Sequence, residues 1–372
     1  MINQKNKSNL LFNNKDYKTI FIWFSVSRLI LLFLAWFLSM GDFKSVFYYF
    51  DVEHYYYIAT SGYRESITAF FPIVPLMIKF FNCFGIPILG TMIVNNVLTL
   101  ASACLLYKMT NNLTSAKLFL CSPIAVFTFI AYTESIFVFF TLLTIYLYKK
   151  EKYFAAGIIL GCGVMTRSLA AMLFFAIFIV MAIKFFKKEI SLKPIFQMYI
   201  PATLISLIYP VFLQIEYGNW KLFMDIQFKA WARISSNLIS TIMADITFLS
   251  LDFPMLQKMQ VIYQFILLGL MIALLICSIL KIRKTKDEVT AIAILYLILS
   301  IFSIYSTCRI PEIAIPSASF YRYFYGCISV YLLPTIFQSE KFENIKTSII
   351  LTADIFFAIC FATFYFLESF MC

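Results

Sequence analysis

Apolar runs long enough to cross a hydrocarbon layer recur along this chain from Thr19 to Leu367, separated by short polar stretches. A helix needs about 20 such residues to span a bilayer core of roughly 30 Å, and a chain that repeats the run many times takes lipid as its solvent. Composition agrees, because 62% of the 372 residues are hydrophobic and 13% are charged, more apolar surface than a water-soluble core of this size requires. In lipid the backbone must satisfy its own polar groups, and no alternating strand pattern competes with helix. The expected fold class is therefore all-α, a single polytopic membrane domain over 1–372, with its motifs in 19–170 and further helices in 171–372. The first run, Thr19 to Met40, is too long for a signal-peptide core and precedes no small-residue cleavage site, so it reads as a retained anchor.

Eleven spans are expected: 19–40, 86–107, 118–131, 134–148, 153–166, 169–183, 194–214, 259–280, 288–307, 320–337 and 347–367. Those at 118–131 and 153–166 fall short of a full crossing, as half-helices that line a protein cavity do. With the N-terminus in the cytoplasm, the inner segments carry 19 Lys and Arg and the outer ones ten, with Arg28 inside the first span. That asymmetry follows the positive-inside rule and puts the C-terminus outside. Most acidic residues then fall on the outer side, in particular in two long external segments, 41–85 and 215–258. The first contains the aromatic run Phe47-Tyr48-Tyr49-Phe50-Asp51-Val52-Glu53-His54-Tyr55-Tyr56-Tyr57, suited to amphipathic helix at the headgroup level.

The formal charge of +11 comes from short basic patches between apolar runs, which argues for topology and against a nucleic-acid stripe. Nine cysteines are scattered without a CxxC pair, and with a single histidine they indicate neither a disulfide framework nor a zinc site. The abundance of Lys, Ile, Asn and Phe points to an AT-rich genome, and the expected location is a bacterial cytoplasmic membrane in preference to an endoplasmic reticulum.

Four polar clusters share the outer edge in this topology: Asp51-Val52-Glu53-His54, Tyr132-Thr133-Glu134-Ser135, Thr166-Arg167-Ser168 and Arg322-Tyr323. Ionisable groups flanked by apolar helix are costly unless paired or wet, so one polar cavity is the economical reading. Asp51 is the first choice for a general base that takes a proton from a hydroxyl as its oxygen attacks carbon, or else it caps a helix. Glu53 points away from Asp51 on a helix, whereas His54 at i+3 shares its face and either bonds substrate, steadies Asp51 or packs at the interface. Glu134 has three readings: it orients a sugar hydroxyl, holds an arginine, or meets the dipole of the helix it begins. Arg167 has two, a fork for phosphate oxygens or an internal ion pair with Glu134, and Arg322 and Arg309 raise the same question. A divalent metal on Asp51 and Glu53 has only two carboxylates behind it.

The run Phe50-Asp51-Val52-Glu53-His54-Tyr55, with Ile58-Ala59, Gly62-Tyr63 and Ala69-Phe70-Phe71-Pro72, resembles the first external loop of the GPI mannosyltransferase 2 family and its bacterial relatives. Ser122-Pro123, Tyr132-Thr133-Glu134-Ser135, Gly157 and Thr166-Arg167-Ser168 resemble that family's second block, so the likeness covers roughly 45–170 and then thins to Arg322-Tyr323. Phe50 stands where the family usually has Trp, and Leu169-Ala170 where Asn-Gly is frequent. The resemblance implies a C-type glycosyltransferase that takes a sugar, typically mannose, from a polyprenyl phosphate and inverts the anomeric centre. It also implies a glycan or glycolipid acceptor and matches the superfamily's acidic loop motif to Asp51. Asp51 and Glu53 are then the expected catalytic pair, and His54, Tyr63, Tyr132, Glu134, Arg167 and Arg322 the expected substrate contacts, with no resident metal. Two other classes compete. A transporter of lipid-linked sugars tends to show duplicated halves and midplane charges, and the sequence shows Arg28 and Asp354 as its only clear intramembrane exceptions. A scaffold subunit without catalysis is the third.

Overall fold

A computed structural model describes residues 14–285, 287–334 and 343–367. The expected inner-side charges Lys5, Lys7, Lys286 and Lys341, and the outer Glu368, lie outside these residues. The chain is mostly helical. Among the described residues, five helices are long and apolar enough to cross a membrane, each containing a suitable window: α1 (Asn14–Leu38), α4 (Pro87–Thr110), α10 (Leu192–Tyr217), α13 (Met255–Thr285) and α17 (Glu343–Phe366). Three shorter apolar helices, α7 (Glu134–Lys149), α8 (Tyr153–Val164) and α9 (Ala170–Phe186), run back and forth beside them, as does α14 (Glu288–Ile304).

The helix ends follow from local chemistry. α4 begins with Pro87, whose missing N–H costs nothing at that position, and ends at Asn111 in the left-handed region (φ 51°). The Asn112 side chain then accepts the Thr114 N–H at 2.7 Å and starts α5 (Leu113–Leu120). Gly157 and Gly161 lie one turn apart on α8, where a Cβ at either would run into the backbone of α10 at Met198 or Ala202. This small-residue stripe lets α8 and α10 approach closely, the geometry that packs helices where lipid removes the hydrophobic drive.

Three expectations are corrected. The span at 118–131 is not continuous, because α5 stops at Leu120 and a five-residue helix, α6 (Ala125–Phe129), follows a break. The segment at 320–337 is likewise divided into α15 (Phe320–Gly326) and α16 (Ser329–Leu332), with residues beyond 334 outside the description. The chain is also not purely helical: β1 (Arg233–Ser235) pairs antiparallel with β2 (Thr307–Arg309), where a helix was expected to run on to 307. Two strands of three residues each leave no periodic signature of length sufficient to read.

The 41–85 segment forms α2 (Asp51–Ser61) and α3 (Ile73–Asn82), and 215–258 forms α11 (Leu222–Ala230), β1 and α12 (Leu238–Ser250). Lys149, Lys150 and Lys152 sit at the turn between α7 and α8, and Lys187 and Lys188 at the turn after α9. The first residues of α7 and the last of α8 therefore lie at the opposite end of the bundle from these lysines.

Candidate active site

The break between α6 and α7 is buried, so its carbonyls need donors from side chains. They receive them. Asn95 Nδ2 donates to the carbonyls of Ile130 (2.6 Å) and Tyr132 (2.8 Å), and Asn96 Nδ2 to that of Phe129 (3.0 Å). Thr99 and Ser135 hydroxyls donate to the Thr128 carbonyl. Arg28, an intramembrane charge in the sequence reading, donates to the Ala125 carbonyl and the Thr128 hydroxyl, both at 3.0 Å. Its role is structural, to fix the irregular backbone that presents Tyr132, Thr133 and Glu134.

Glu134, the first residue of α7, is fully buried and gathers two arginines. Its Oε1 accepts from Arg167 Nη1 at 2.5 Å and from Arg322 Nε at 2.9 Å, with Arg322 Nη2 2.8 Å away. Arg322 Nη2 also donates to Asp51 Oδ2 at 3.1 Å. The four side chains expected at one edge thus form one ionic chain, drawn from α2, α7, the α8–α9 turn and α15. The arginines are clamped by rings: the Arg322 guanidinium lies 4.5 Å from the Phe127 centroid and 4.9 Å from that of Tyr132, and Arg167 lies 4.9 Å from that of Tyr323. Only a planar guanidinium can stack and donate in two directions at once. Burial works hardest against the charge on Arg167, but Glu134 together with the Tyr323 and Tyr55 phenols outweighs it and holds the group above its ordinary value.

The two helices that bring Asp51 and Arg322 together are each preceded by a strained residue. Phe50 has φ 56° and ψ −123°, and Ser319 has φ 65°, conformations that cost a side-chain-bearing residue about 1–3 kcal/mol. The Asp51 backbone N–H donates to the Tyr132 hydroxyl at 3.2 Å, which supplies the acceptor a helix start needs. Asp51 does not cap α2: Phe50 occupies the cap position and no side chain bonds there. The Asp51 carboxylate, one-fifth exposed, instead faces a cavity of about 150 Å³.

Four arginines line that cavity, Arg167, Arg233, Arg309 and Arg322, and Asp51 is the one carboxylate among the described lining residues. Tyr55 completes the α2 wall. Burial, with Asp51 and Glu134 adding to it, pushes its phenol up, so the hydroxyl stays protonated. A second, apolar cavity of about 390 Å³ shares the walls: Phe71 and Thr166 face the polar one, and their neighbours Pro72 and Met165 the apolar one, with Ile208 and Phe212 of α10 opposite.

The sequence-expected residues divide accordingly. Asp51, Arg167 and Arg322 meet at the cavity. Glu134 lies beneath it, 0% exposed, so the sugar-orienting role is corrected: burial leaves it the holder of two arginines. Tyr132 is buried under Arg322 and acts through the Asp51 N–H. Tyr63 lies at the apolar cavity, its hydroxyl donating to the Phe70 carbonyl at 2.8 Å, and does not line the polar one. The His54 ring packs 4.8 Å from that of Phe70 and 6.0 Å from that of Trp231, behind the cavity wall. Glu53 is exposed and lines neither cavity. No group of three His, Cys, Asp or Glu side chains is placed to hold a metal ion among the described residues. Arg233, Gln227 and Trp231 were not foreseen as lining. The one signal was a basic and aromatic stretch, Lys229-Ala230-Trp231-Ala232-Arg233, between apolar runs.

Comparison of the chain with protein-family models, with curated proteins and with solved structures gives no match.

Proposed function

We propose that this protein is an inverting glycosyltransferase, a C-type enzyme of about eleven membrane segments, those at 118–131 and 320–337 interrupted, that moves a sugar, mannose in the first instance, from a polyprenyl phosphate to a hydroxyl acceptor at the non-cytoplasmic face. The observation that carries the reading is the pairing of one partly exposed carboxylate, Asp51, with four guanidiniums around a cavity that adjoins an apolar groove. Such a site suits an amphiphile with an anionic head. The motif resemblance over 45–170 supports the same class, and the end of the bundle opposite the lysine turns is the non-cytoplasmic one under the positive-inside rule.

The chemistry balances on the residues present. An acceptor hydroxyl attacks the anomeric carbon while Asp51 takes its proton; the new C–O bond forms as the bond from that carbon to the phosphate oxygen breaks. The electron pair leaves with the phosphate, whose charge grows from about one negative to about two, and guanidiniums held in a shielded site stabilise that growth. Arg322 fixes one oxygen of Asp51, and Oδ1 makes no hydrogen bond among the described residues. No nucleotide is required.

The test is transfer from a radiolabelled polyprenyl-phosphate sugar by membranes that carry Asp51→Asn. Transfer falls at least about a hundredfold with the protein still inserted; near-normal transfer removes Asp51 from the mechanism. A transporter of lipid-linked sugars is the second reading, and proteoliposomes that translocate the lipid without transfer of its sugar would favour it.

A further inference from the structure

The tyrosine hydroxyls around the site fall into two groups. Tyr63 donates to the Phe70 carbonyl at 2.8 Å, Tyr209 to that of Thr68 at 2.7 Å and Tyr365 to that of Tyr49 at 3.1 Å, so each phenol fixes a stretch of backbone. A buried phenol ordinarily finds such a partner. Tyr55 of α2 and Tyr323 of α15 behave differently. Both line the polar cavity, and neither hydroxyl bonds a protein group among the described residues or is sealed away in the packing. Of the Arg322-Tyr323 pair singled out in the sequence, Arg322 belongs to the ionic chain and Tyr323 does not.

Both rings are held. The Arg167 guanidinium lies over the Tyr323 ring, and the Tyr55 ring meets that of Phe70 edge to face at 5.2 Å. Tyr55 follows Asp51 by four residues, which puts the two side chains on one face of α2, about 6 Å apart along its axis. The lining also decides which ligand group these hydroxyls suit. A phosphate oxygen only accepts, and guanidiniums supply its donors. A phenol hydroxyl both donates and accepts, as a sugar hydroxyl does. Phe70 and Trp231 in the same lining add ring faces against which the C–H face of a sugar packs.

We propose that the Tyr55 and Tyr323 hydroxyls grip ring hydroxyls of the transferred sugar, and so set which sugar is taken and how its anomeric carbon meets the acceptor oxygen that Asp51 deprotonates. The ligand class is a neutral hexose carried on a lipid phosphate, and the inference rests on the glycosyltransferase reading for that carrier. Tyr55 and Tyr323 thereby take the place of His54, Tyr63, Tyr132 and Glu134 as sugar contacts, none of which lines the polar cavity. A site built to hydrogen-bond a substrate hydroxyl discriminates strongly against a substrate that lacks it. The two phenols come from α2 and α15, the same helices whose Asp51 and Arg322 are bonded to each other, so the grip and the base are fixed by one ionic contact.

The experiment uses the full chain in nanodiscs, as wild type, Tyr55→Phe, Tyr323→Phe and the double variant. The probes are mannosyl, glucosyl and galactosyl farnesyl phosphate, with methyl farnesyl phosphate as a diester of the same charge that lacks a sugar. Wild type binds at least one of the glycolipids more tightly than the methyl ester. Each phenylalanine variant weakens binding of that glycolipid by roughly threefold to tenfold, the loss of one neutral hydrogen bond, and binds the methyl ester as wild type does. A glycolipid that lacks the gripped hydroxyl binds wild type and variant alike, because the same bond cannot be lost twice. Melting temperatures stay at the wild-type value, since the rings remain and no hydrogen bond within the protein is removed. No preference for any sugar in wild type, or variants that bind the glycolipid as wild type does, would overturn the assignment, and transfer by the wild type would still keep the enzyme reading. Equal losses for the methyl ester would move the hydroxyls to the phosphate, and a fall in melting temperature would make them structural; either overturns the proposal. Sugar-dependent binding that the variants lose, together with no transfer from any polyprenyl-phosphate sugar by the wild type, would leave the two tyrosines standing and remove the enzyme reading.

Discussion

The two ends of the helix bundle each carry an ion pair built on a glutamate, and they differ in what surrounds it. At the lysine end, Lys184 Nζ lies 2.9 Å from Glu288 Oε1, with the Tyr148 hydroxyl bonded to the same oxygen; the lysine side chain is 25% exposed and the glutamate 37%. At the cavity end, Glu134 is fully buried and Arg167 and Arg322 nearly so. The first pair is hydrated, screened by salt and free to loosen. The second cannot lose a member without stranding a charge in a medium that does not solvate it. A membrane protein can thus use the same ionic chemistry for anchoring at one end and for a rigid site at the other, and the packing around the pair decides which.

The sharpest way to break the contrast is Glu134→Gln, which keeps the shape and removes the charge. Two guanidiniums are left facing each other, and the expected loss is roughly 3–5 kcal/mol, read as a fall in melting temperature and in the yield of folded protein from membranes. A stability near that of wild type would show that the buried network is as loose as the lysine end. Asn95→Leu tests the backbone support of the same network. The Ile130 and Tyr132 carbonyls lose their donor, at about 1–3 kcal/mol for a buried group left unpaired, and transfer activity falls as Glu134 shifts. Unchanged melting and activity would mean that the α6–α7 break holds itself.

Asp245 of α12 sharpens the comparison through pH. It is a carboxyl outside the proposed spans, with no arginine bonded to it. Its Oδ1 accepts the Ser317 N–H at 3.1 Å, and burial raises its pKa to about 7, above the ordinary carboxylate value. The folded state therefore binds the proton more tightly than the unfolded state. The stability linked to it is fully present below about pH 4 and is lost as pH rises through about 7. Between about pH 6 and about pH 7 the loss is on the order of 1 kcal/mol, and Asp245→Asn removes the slope. Melting curves of the two proteins that run parallel across this range would show that Asp245 is ionised when folded. Smallest of all is Lys184→Gln, with an expected cost of at most about 1 kcal/mol that vanishes in high salt. A larger, salt-independent loss would place the lysine pair in the same class as the buried one.

Part of the cavity's polar lining is legible in the sequence. Asp51, Arg167 and Arg322 stood out because a charge flanked by apolar helix is rare and expensive, and the lysine distribution put them at one edge. The structure brings them together through Glu134, a residue whose burial the sequence did not reveal. His54 and Glu53 matched a motif by spacing, yet one packs between rings and the other faces outward, since i+3 and i+2 offsets fix a face and not what lies against it. Gly157 entered the sequence reading only as part of a motif, and that it and Gly161 meet the backbone of α10 could not be read from spacing alone.

What the sequence determined by itself is the solvent, the helical class and the end of the bundle where polar residues collect, because each follows from local hydropathy and charge. The tertiary structure alone decided between a phosphate fork and the Glu134 ion pair for Arg167, brought Arg322 to both carboxylates, and fixed where the helices break and that Arg233 stands opposite Arg309. Those are long-range pairings, chosen by the mutual satisfaction of buried polar groups, and no local pattern encodes a partner that lies tens or hundreds of residues away.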